Sequence, residues 1–398
     1  MSILKPAEPV FLPGNRLQLL ASGTDYFPAL IAAIDAAQHE VHLETYIFAN
    51  DVTGRAVASA LSAAARRGVN VRVLVDGFGA RDFATGLGVM LTTSGVEVLV
   101  YRPEATRLRL RRHRLRRMHR KLAVIDGCTA FVGGINILDD FDDGAATAPR
   151  FDYAIRIEGA LVVRIHAAVR HVWRLVRWAR IGRGARRPPR PLPLAPCGNT
   201  APGTVLAALL IRDNLRHRRD IENAYLDAIA AARDEIIIAN AYFLPGRTLR
   251  RALIDAARRG VKVTLLLQGR VEYMLQHYAT RTLYARLLKA GVRIFEYRPA
   301  FLHAKVAVID TCWATVGSSN IDPFSLLLAR EANVVVRDAA FAAELRASLM
   351  RALTDAADEI SQENHRQRAG WEQLTGAVAY WLVRVLVSVT RYGGQYSR

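Results

Sequence analysis

The sequence is poor in cysteine, short of acidic residues, and without any long unbroken apolar run. Its three cysteines, Cys128, Cys197 and Cys312, have no zinc-ligand spacing and offer no disulfide framework. That argues against a stapled scaffold and makes a reducing compartment the simpler expectation. Against 55 Lys and Arg there are only 36 Asp and Glu, a formal charge of +19. A balance this far from zero calls for an anionic partner: nucleic acid, an acidic membrane or a phosphorylated ligand. No stretch reaches the ~18 consecutive apolar residues of a conventional transmembrane helix. The N-terminus lacks the basic-then-apolar order of a signal peptide. No cluster of carboxylates is spaced to hold a metal, so no cofactor is expected.

What the chain does have is repetition. The pattern His119-x-Lys121-x4-Asp126 recurs as His303-x-Lys305-x4-Asp310, and each copy leads to a small-residue turn ending in Asn136 or Asn320. Tyr46 matches Tyr242 and Tyr101-Arg102-Pro103 matches Tyr297-Arg298-Pro299 at an offset of 196, whereas the motif histidines are offset by 184. The first half therefore holds a 12-residue excess just before His119. That segment carries Arg107, Arg109, Arg111, Arg112, Arg114, Arg116 and Arg117, a candidate surface for acidic lipid. Residues 164–190 add nine arginines and no acid, with Trp173 and Trp178 among them. This stretch reads either as a solvated helix face plus linker or as a membrane-facing patch.

Each half alternates strand-like and helix-like runs. Val41–Phe48, Gly54–Arg67 ending at Gly68, and Val69–Val75 have their counterparts in Ile236–Ala241, Thr248–Arg259 and Val261–Leu267. Such alternation predicts a layered α/β fold with much parallel sheet and material for two cores. The boundaries expected are a first half over 1–190, a Pro/Gly/Arg-rich linker at 191–204, a second half over 205–370 and an apolar segment over 371–398. Within the last, Leu374 to Val389 is almost wholly apolar, broken by Arg384 and Ser388. It reads as an interfacial anchor, with a terminal helix packed on the domain as the alternative.

The motif chemistry suits a phosphodiester. Its negative charge must be neutralised, and both a nucleophile and an acid for the leaving group must be supplied. Lys121, Lys305, Asn136 and Asn320 provide donors. One histidine attacks phosphorus and the other handles protons. Read as one strand, Met118 to Asp126 places His119 and Lys121 on the same face and Asp126 on the other. Within the motif set His119, Lys121, Asp126, His303, Lys305 and Asp310, the two aspartates thus read as supports. A reactive imidazole needs its tautomer fixed by a partner. The candidates are Asp152, expected to orient His119, and Glu331, expected to orient His303.

The doubled pattern resembles the phospholipase D superfamily and, within it, the short B type of bacterial cardiolipin synthases. The strings that carry the resemblance include Glu44-Thr45-Tyr46-Ile47-Phe48, Phe131-Val132-Gly133-Gly134-Ile135-Asn136 and Val316-Gly317-Ser318-Ser319-Asn320-Ile321-Asp322-Pro323. Ala304 and Ala329 depart from it, standing where Gly and Asn are usual, and so does Arg270-Val271-Glu272-Tyr273. The resemblance implies two α/β/α sandwich halves about a pseudo-twofold axis with one shared active site. It implies transfer of a phosphatidyl group from one phosphatidylglycerol to another, releasing glycerol, through a phosphohistidine on His119. It also implies peripheral association with a bacterial membrane, expected on the cytoplasmic face, with anionic phospholipid as partner and no nucleic acid. A hydrolase or a metal-independent nuclease on the same scaffold is the alternative, and the positive charge alone suits the nuclease equally. Deleting residues 371–398 is expected to release the protein from membrane fractions while leaving the fold intact; unchanged partitioning in a flotation assay would exclude the anchor.

Overall fold

The computed structural model describes residues 9–103, 117–141, 147–181, 203–213, 217–323 and 329–363, with the single positions 325, 378, 379, 381, 382 and 385. The expected linker and most of the C-terminal apolar segment lie outside the described residues, as do Arg107, Arg109, Arg111, Arg112, Arg114 and Arg116. No described helix is long and apolar enough to cross a membrane.

The first half runs β1 (Leu12–Ala21), α1 (Ser22–Asp35), β2 (Glu40–Thr45), α2 (Val52–Arg66), β3 (Asn70–Asp76), α3 (Leu87–Thr93), β4 (Glu97–Tyr101), β5 (Arg117–Met118), β6 (Lys121–Ile125), β7 (Thr129–Gly133), β8 (Tyr153–Gly159) and α4 (Ala160–Ile181). The second runs β9 (Val205–Arg212), α5 (Asp220–Ala231), β10 (Glu235–Asn240), α6 (Arg247–Arg258), β11 (Lys262–Gln268), α7 (Met274–Arg281), α8 (Tyr284–Lys289), β12 (Arg293–Tyr297), β13 (Lys305–Ile309), β14 (Trp313–Gly317), β15 (Ala329–Arg337), α9 (Ala339–Asp355) and β16 (Ala357–Glu359). The strands predicted from the repeat fall at β2, β3, β10 and β11, and the predicted helices at α2 and α6. Both helices stop where the sequence supplies a glycine able to take a left-handed turn, Gly68 at φ +91° and Gly260 at φ +94°.

The sheet is more mixed than the alternation predicts. Pairing is parallel where a helix crosses between strands, in β2–β3–β4 and β10–β11–β12. It is antiparallel where short turns connect the strands that carry the motifs, in β6–β7–β8 and β13–β14–β15. The halves are not separate sheets. The strand order β16-β12-β11-β10-β13-β14-β15-β9-β1-β8-β7-β6-β2-β3-β4 is continuous, and the repeats meet where β1 pairs antiparallel with its counterpart β9. That arrangement is what a pseudo-twofold relation requires.

Nor are there simply two cores. Leu122, Val132 and Ile155 of the first half share one apolar cluster with Ile237, Val306, Val334 and Leu345 of the second, and α4 and α9 contribute to it. Each half keeps its own outer cluster besides, under α1 and α2 in the first and under α5 and α6 in the second. Cys312 is free, whereas Cys128 takes part in a disulfide, against the expectation that the cysteines offer no disulfide framework.

The motif aspartates face away from the centre and act at the far end of their strands. Asp126, itself at φ +51°, accepts the backbone N–H groups of Gln38, His39 and Glu40 at 2.8–2.9 Å. Asp310, at φ +50°, accepts those of Arg233, Asp234 and Glu235 at 2.9–3.0 Å. Each thereby fastens the hairpin after the motif to the start of the neighbouring strand, β2 or β10. Partial burial pushes the Asp310 carboxyl up, but these backbone donors outweigh it and hold the pKa below the usual range. A depressed folded-state pKa stabilises the fold above the unfolded value, and that contribution is lost as pH falls through the folded one. Asp126→Ala strands three donors and is expected to cost about 2 kcal/mol in chemical denaturation, with turnover per folded molecule nearly unchanged. Loss of turnover at unchanged stability would place Asp126 in the chemistry.

Candidate active site

Met118 to Asp126 is not the single strand expected from the sequence. It breaks at His119–Arg120, because the two residues before the break pair with the other half. Arg117–Met118 lies parallel to Ala329–Arg330, and the His119 N–H donates to the Arg330 carbonyl at 3.0 Å. The second copy mirrors this: Leu302 bridges Phe151 in parallel, and the His303 N–H donates to the Phe151 carbonyl at 2.8 Å. Each histidine is thus held by the strand of the opposite half that carries an acid one residue further on.

That crossing reverses the expected pairing. His119 Nδ1 lies 3.1 Å from Glu331, and His303 Nδ1 lies 2.6 Å from Asp152. The acids named from sequence do lie within hydrogen-bond distance of the histidines, but each meets the histidine of the other repeat. Adjacency in sequence suggested the same-half pairing; the parallel bridges between halves decide otherwise. With Nδ1–H given to a carboxylate, the Nε2 lone pair is the one available for chemistry.

The two acids are held differently. Glu331 accepts the Ser318 hydroxyl at 2.6 Å, and that hydroxyl also accepts the Ala332 N–H at 3.0 Å. At the position matching Ser318 the first half has Gly134, and a Cβ there would come within 2.3 Å of the Asp152 carboxylate. Asp152 instead accepts the Tyr153 N–H at 2.8 Å and lies 3.5 Å from Lys305 Nζ.

Both lysines donate to the carbonyl of their own histidine, Lys121 at 2.7 Å and Lys305 likewise. Asn136 accepts the Ile47 N–H and Asn320 that of Tyr242, so the amide oxygens are engaged with the chain. Their amide nitrogens are donors only, the kind of group a phosphate oxygen accepts from. Tyr46 packs edge-on to His119 at 4.9 Å.

Burial sets the electrostatics. It lowers the pKa of His119 and, further, that of His303, with the nearby lysines adding to the effect and Glu331 opposing it at His119. Burial and the charge of Lys305 bring Lys121 down to about 7. Burial brings Lys305 down to about 8 despite Asp152 and Glu331. Asp152 is pushed up to about 6 by burial, with Lys305 opposing. The centre is a buried group of two imidazoles and two lysines, whose charged forms are opposed by burial and favoured by Asp152 and Glu331.

Several contributors are not evident from the motif. Asp76, at the end of β3, accepts the Met118 N–H at 2.8 Å, and Gln268, at the end of β11, donates to the Leu302 carbonyl at 3.3 Å. Each grips the residue just before a motif histidine. Their signal in the sequence is the repeated residue before Gly77 and Gly269. Arg120, between His119 and Lys121, forms a buried two-point ion pair with Glu44 at 2.5 and 2.9 Å. The second half has Ala304 and Asn240 at the matching positions, which accounts for Ala304. Among the described residues Glu40, His42 and His166 bring donor atoms within 4.8 Å of one another. The Arg72 guanidinium reaches His42 Nε2 at 3.2 Å and lies 3.6 Å from Glu40, and its positive charge opposes a cation there.

A family model described as cardiolipin synthase, PLD-like domain, matches residues 30–159 and again 225–353, one match on each side of this centre. The chain belongs to that family. It is 39% identical to cardiolipin synthase B of Escherichia coli (strain K12) over 93% of this chain and 88% of the relative. It is 30% identical to cardiolipin synthase A of Yersinia pseudotuberculosis serotype O:1b (strain IP 31758), over 94% of this chain and 76% of that one. Among solved structures, the phosphatidylserine synthase of Haemophilus influenzae Rd KW20 shares the fold, with a TM-score of 0.71 over 98% of this chain and 97% of that chain at 12% identity.

The pH dependence follows from the lowered groups. A reaction in which one neutral imidazole attacks phosphorus is expected to lose kcat/KM on acidification only below the ordinary histidine range. One that also relies on a protonated second histidine and on charged Lys121 and Lys305 is expected to lose it on the alkaline side by pH 7–8, as these groups lose protons. An alkaline limb at the ordinary lysine value in a pH–rate profile would contradict this picture.

Proposed function

We propose that the chain transfers a phosphatidyl group from one phosphatidylglycerol to a hydroxyl of a second, yielding cardiolipin and glycerol. The observation that carries this reading is the crossed pair of histidines, each oriented through Nδ1 by the opposite half, in one buried centre with two lysines. One Nε2 attacks phosphorus in line, and the bond from phosphorus to the glycerol oxygen breaks. The second histidine, protonated at Nε2 once the phosphodiester is bound, gives that proton to the departing alkoxide, which leaves as glycerol. The hydroxyl of the incoming phosphatidylglycerol returns a proton to that imidazole and attacks phosphorus. The P–N bond breaks, cardiolipin departs, and both histidines regain their starting state. A bound phosphodiester adds negative charge beside these bases and so raises the histidine and lysine pKa values. His119 is assigned the nucleophilic role and His303 the proton transfers.

The surroundings favour lipid over nucleic acid. In the second half Val271, Tyr273, Met274 and Leu275 are exposed apolar side chains with the exposed Glu272 among them, and Met274 is 65% exposed. Beside it Arg150 and Arg270 lie over the Phe301 ring at 5.2 and 5.1 Å. Apolar side chains interleaved with guanidinium groups suit a headgroup boundary. This row supports peripheral contact with a membrane, and the basic surface suits the anionic cytoplasmic leaflet.

Purified protein with phosphatidylglycerol vesicles is expected to give cardiolipin and equimolar glycerol. Phosphatidic acid alone would make it a hydrolase, and cleavage of DNA without lipid turnover would make it a nuclease. His119→Ala and His303→Ala should each abolish turnover. Glu331→Gln should slow formation of the covalent adduct by on the order of 10²- to 10⁴-fold, as for other orienting acids; the adduct, mapped by mass spectrometry, should lie on His119.

A further inference from the structure

A groove of about 810 Å3 opens on the first half between α3, β4 and α4. Its volume falls within the ~300–1,000 Å3 of ordinary small-molecule sites. Val89, Val98, Val100, Leu175 and Val176 contribute apolar wall, while Arg102, Arg180 and Arg330 also line it, and no acidic residue does. The groove is separate from the catalytic centre: Arg330 precedes Glu331 on β15, and alternation along a strand turns the two side chains to opposite faces. The Nε of Arg330 is buried with no hydrogen-bond partner among the described residues. Val89 and Leu175 are exposed at its edges.

We propose that this groove is an accessory site for an anionic diacyl phospholipid, with acyl chain against the valine and leucine wall and phosphate toward the three arginines. Charge decides the occupant. The chain stretches that adjoin the groove in sequence are 104–116, with six arginines and one acid, and 182–202, with four arginines and no acid. Both would bring like charge to Arg102, Arg180 and Arg330, as would a second copy of a chain at +19. An anionic amphiphile matches the arginines and the apolar wall together. A lipid held there touches the residue whose carbonyl receives the His119 N–H, so the site is placed to report membrane composition to the catalytic centre. The inference concerns binding and does not depend on the reaction proposed above.

The test uses the full chain on phosphatidylcholine vesicles doped with phosphatidylglycerol bearing a photoactivatable group at an acyl terminus. Crosslinks should map by mass spectrometry to α3, β4 and α4, and should persist in His119→Ala, which cannot turn over. Arg180→Glu, reversing a charge beside the phosphate, should reduce them about tenfold, and Val89→Trp should reduce them by filling the groove. Equal labelling by a photoactivatable phosphatidylcholine, labelling indifferent to both substitutions, displacement by free fatty acid, or labelling confined to residues 271–275 would each overturn the proposal. Absence of cardiolipin in the turnover assay would leave the labelling pattern untouched, so the two readings fail separately.

Discussion

The centre depends on a contact between the halves made twice. The backbone N–H of each motif histidine donates to a carbonyl of the opposite half, and the next residue on that opposite strand supplies the carboxylate for the ring. One hydrogen bond fixes where the histidine stands and the other fixes which nitrogen is free. Neither half contains a complete site. The continuous sheet through β1 and β9 and the apolar cluster shared by both halves hold the two in register. Buried apolar surface supplies the rigidity that these short polar contacts need, since a hydrogen bond weakens steeply as its partners move out of line.

Around that frame two lysines and two histidines share a buried space. Among the described residues Asp152, Glu331, Asp76 and Glu272 favour the charged lysines, and burial opposes them. Burial lowers the pKa of every one of these bases. The lysines rest on their own histidine carbonyls, so their donors are held at the centre rather than turned to solvent.

Much of this was legible in the sequence because repetition amplifies weak signals. The doubled motif located the chemistry, the matched helices and strands located the scaffold, and parity separated Asp126 from His119 and Lys121. The acids Asp152 and Glu331 were also identifiable, as residues beginning matched strands. Their pairing was not. Nothing local in the chain states that Arg117–Met118 lies beside Ala329–Arg330, because that is a property of how two halves meet. The broken strand at His119 and the share of antiparallel pairing were hidden for the same reason. Asp76 and Gln268 escaped notice because their role is to hold a backbone group rather than to present a recognisable side-chain pattern.

One difference between the repeats has a consequence for direction. Ser318 gives Glu331 a hydroxyl, while Gly134 gives Asp152 only room, and Asp152 turns to Lys305 and the backbone instead. Duplication alone would yield a palindrome, in which a ligand entering either way round meets the same groups. The hydroxyl on one side, with the Arg120–Glu44 ion pair on the other, removes that equivalence, and the two ends of the centre are chemically distinct.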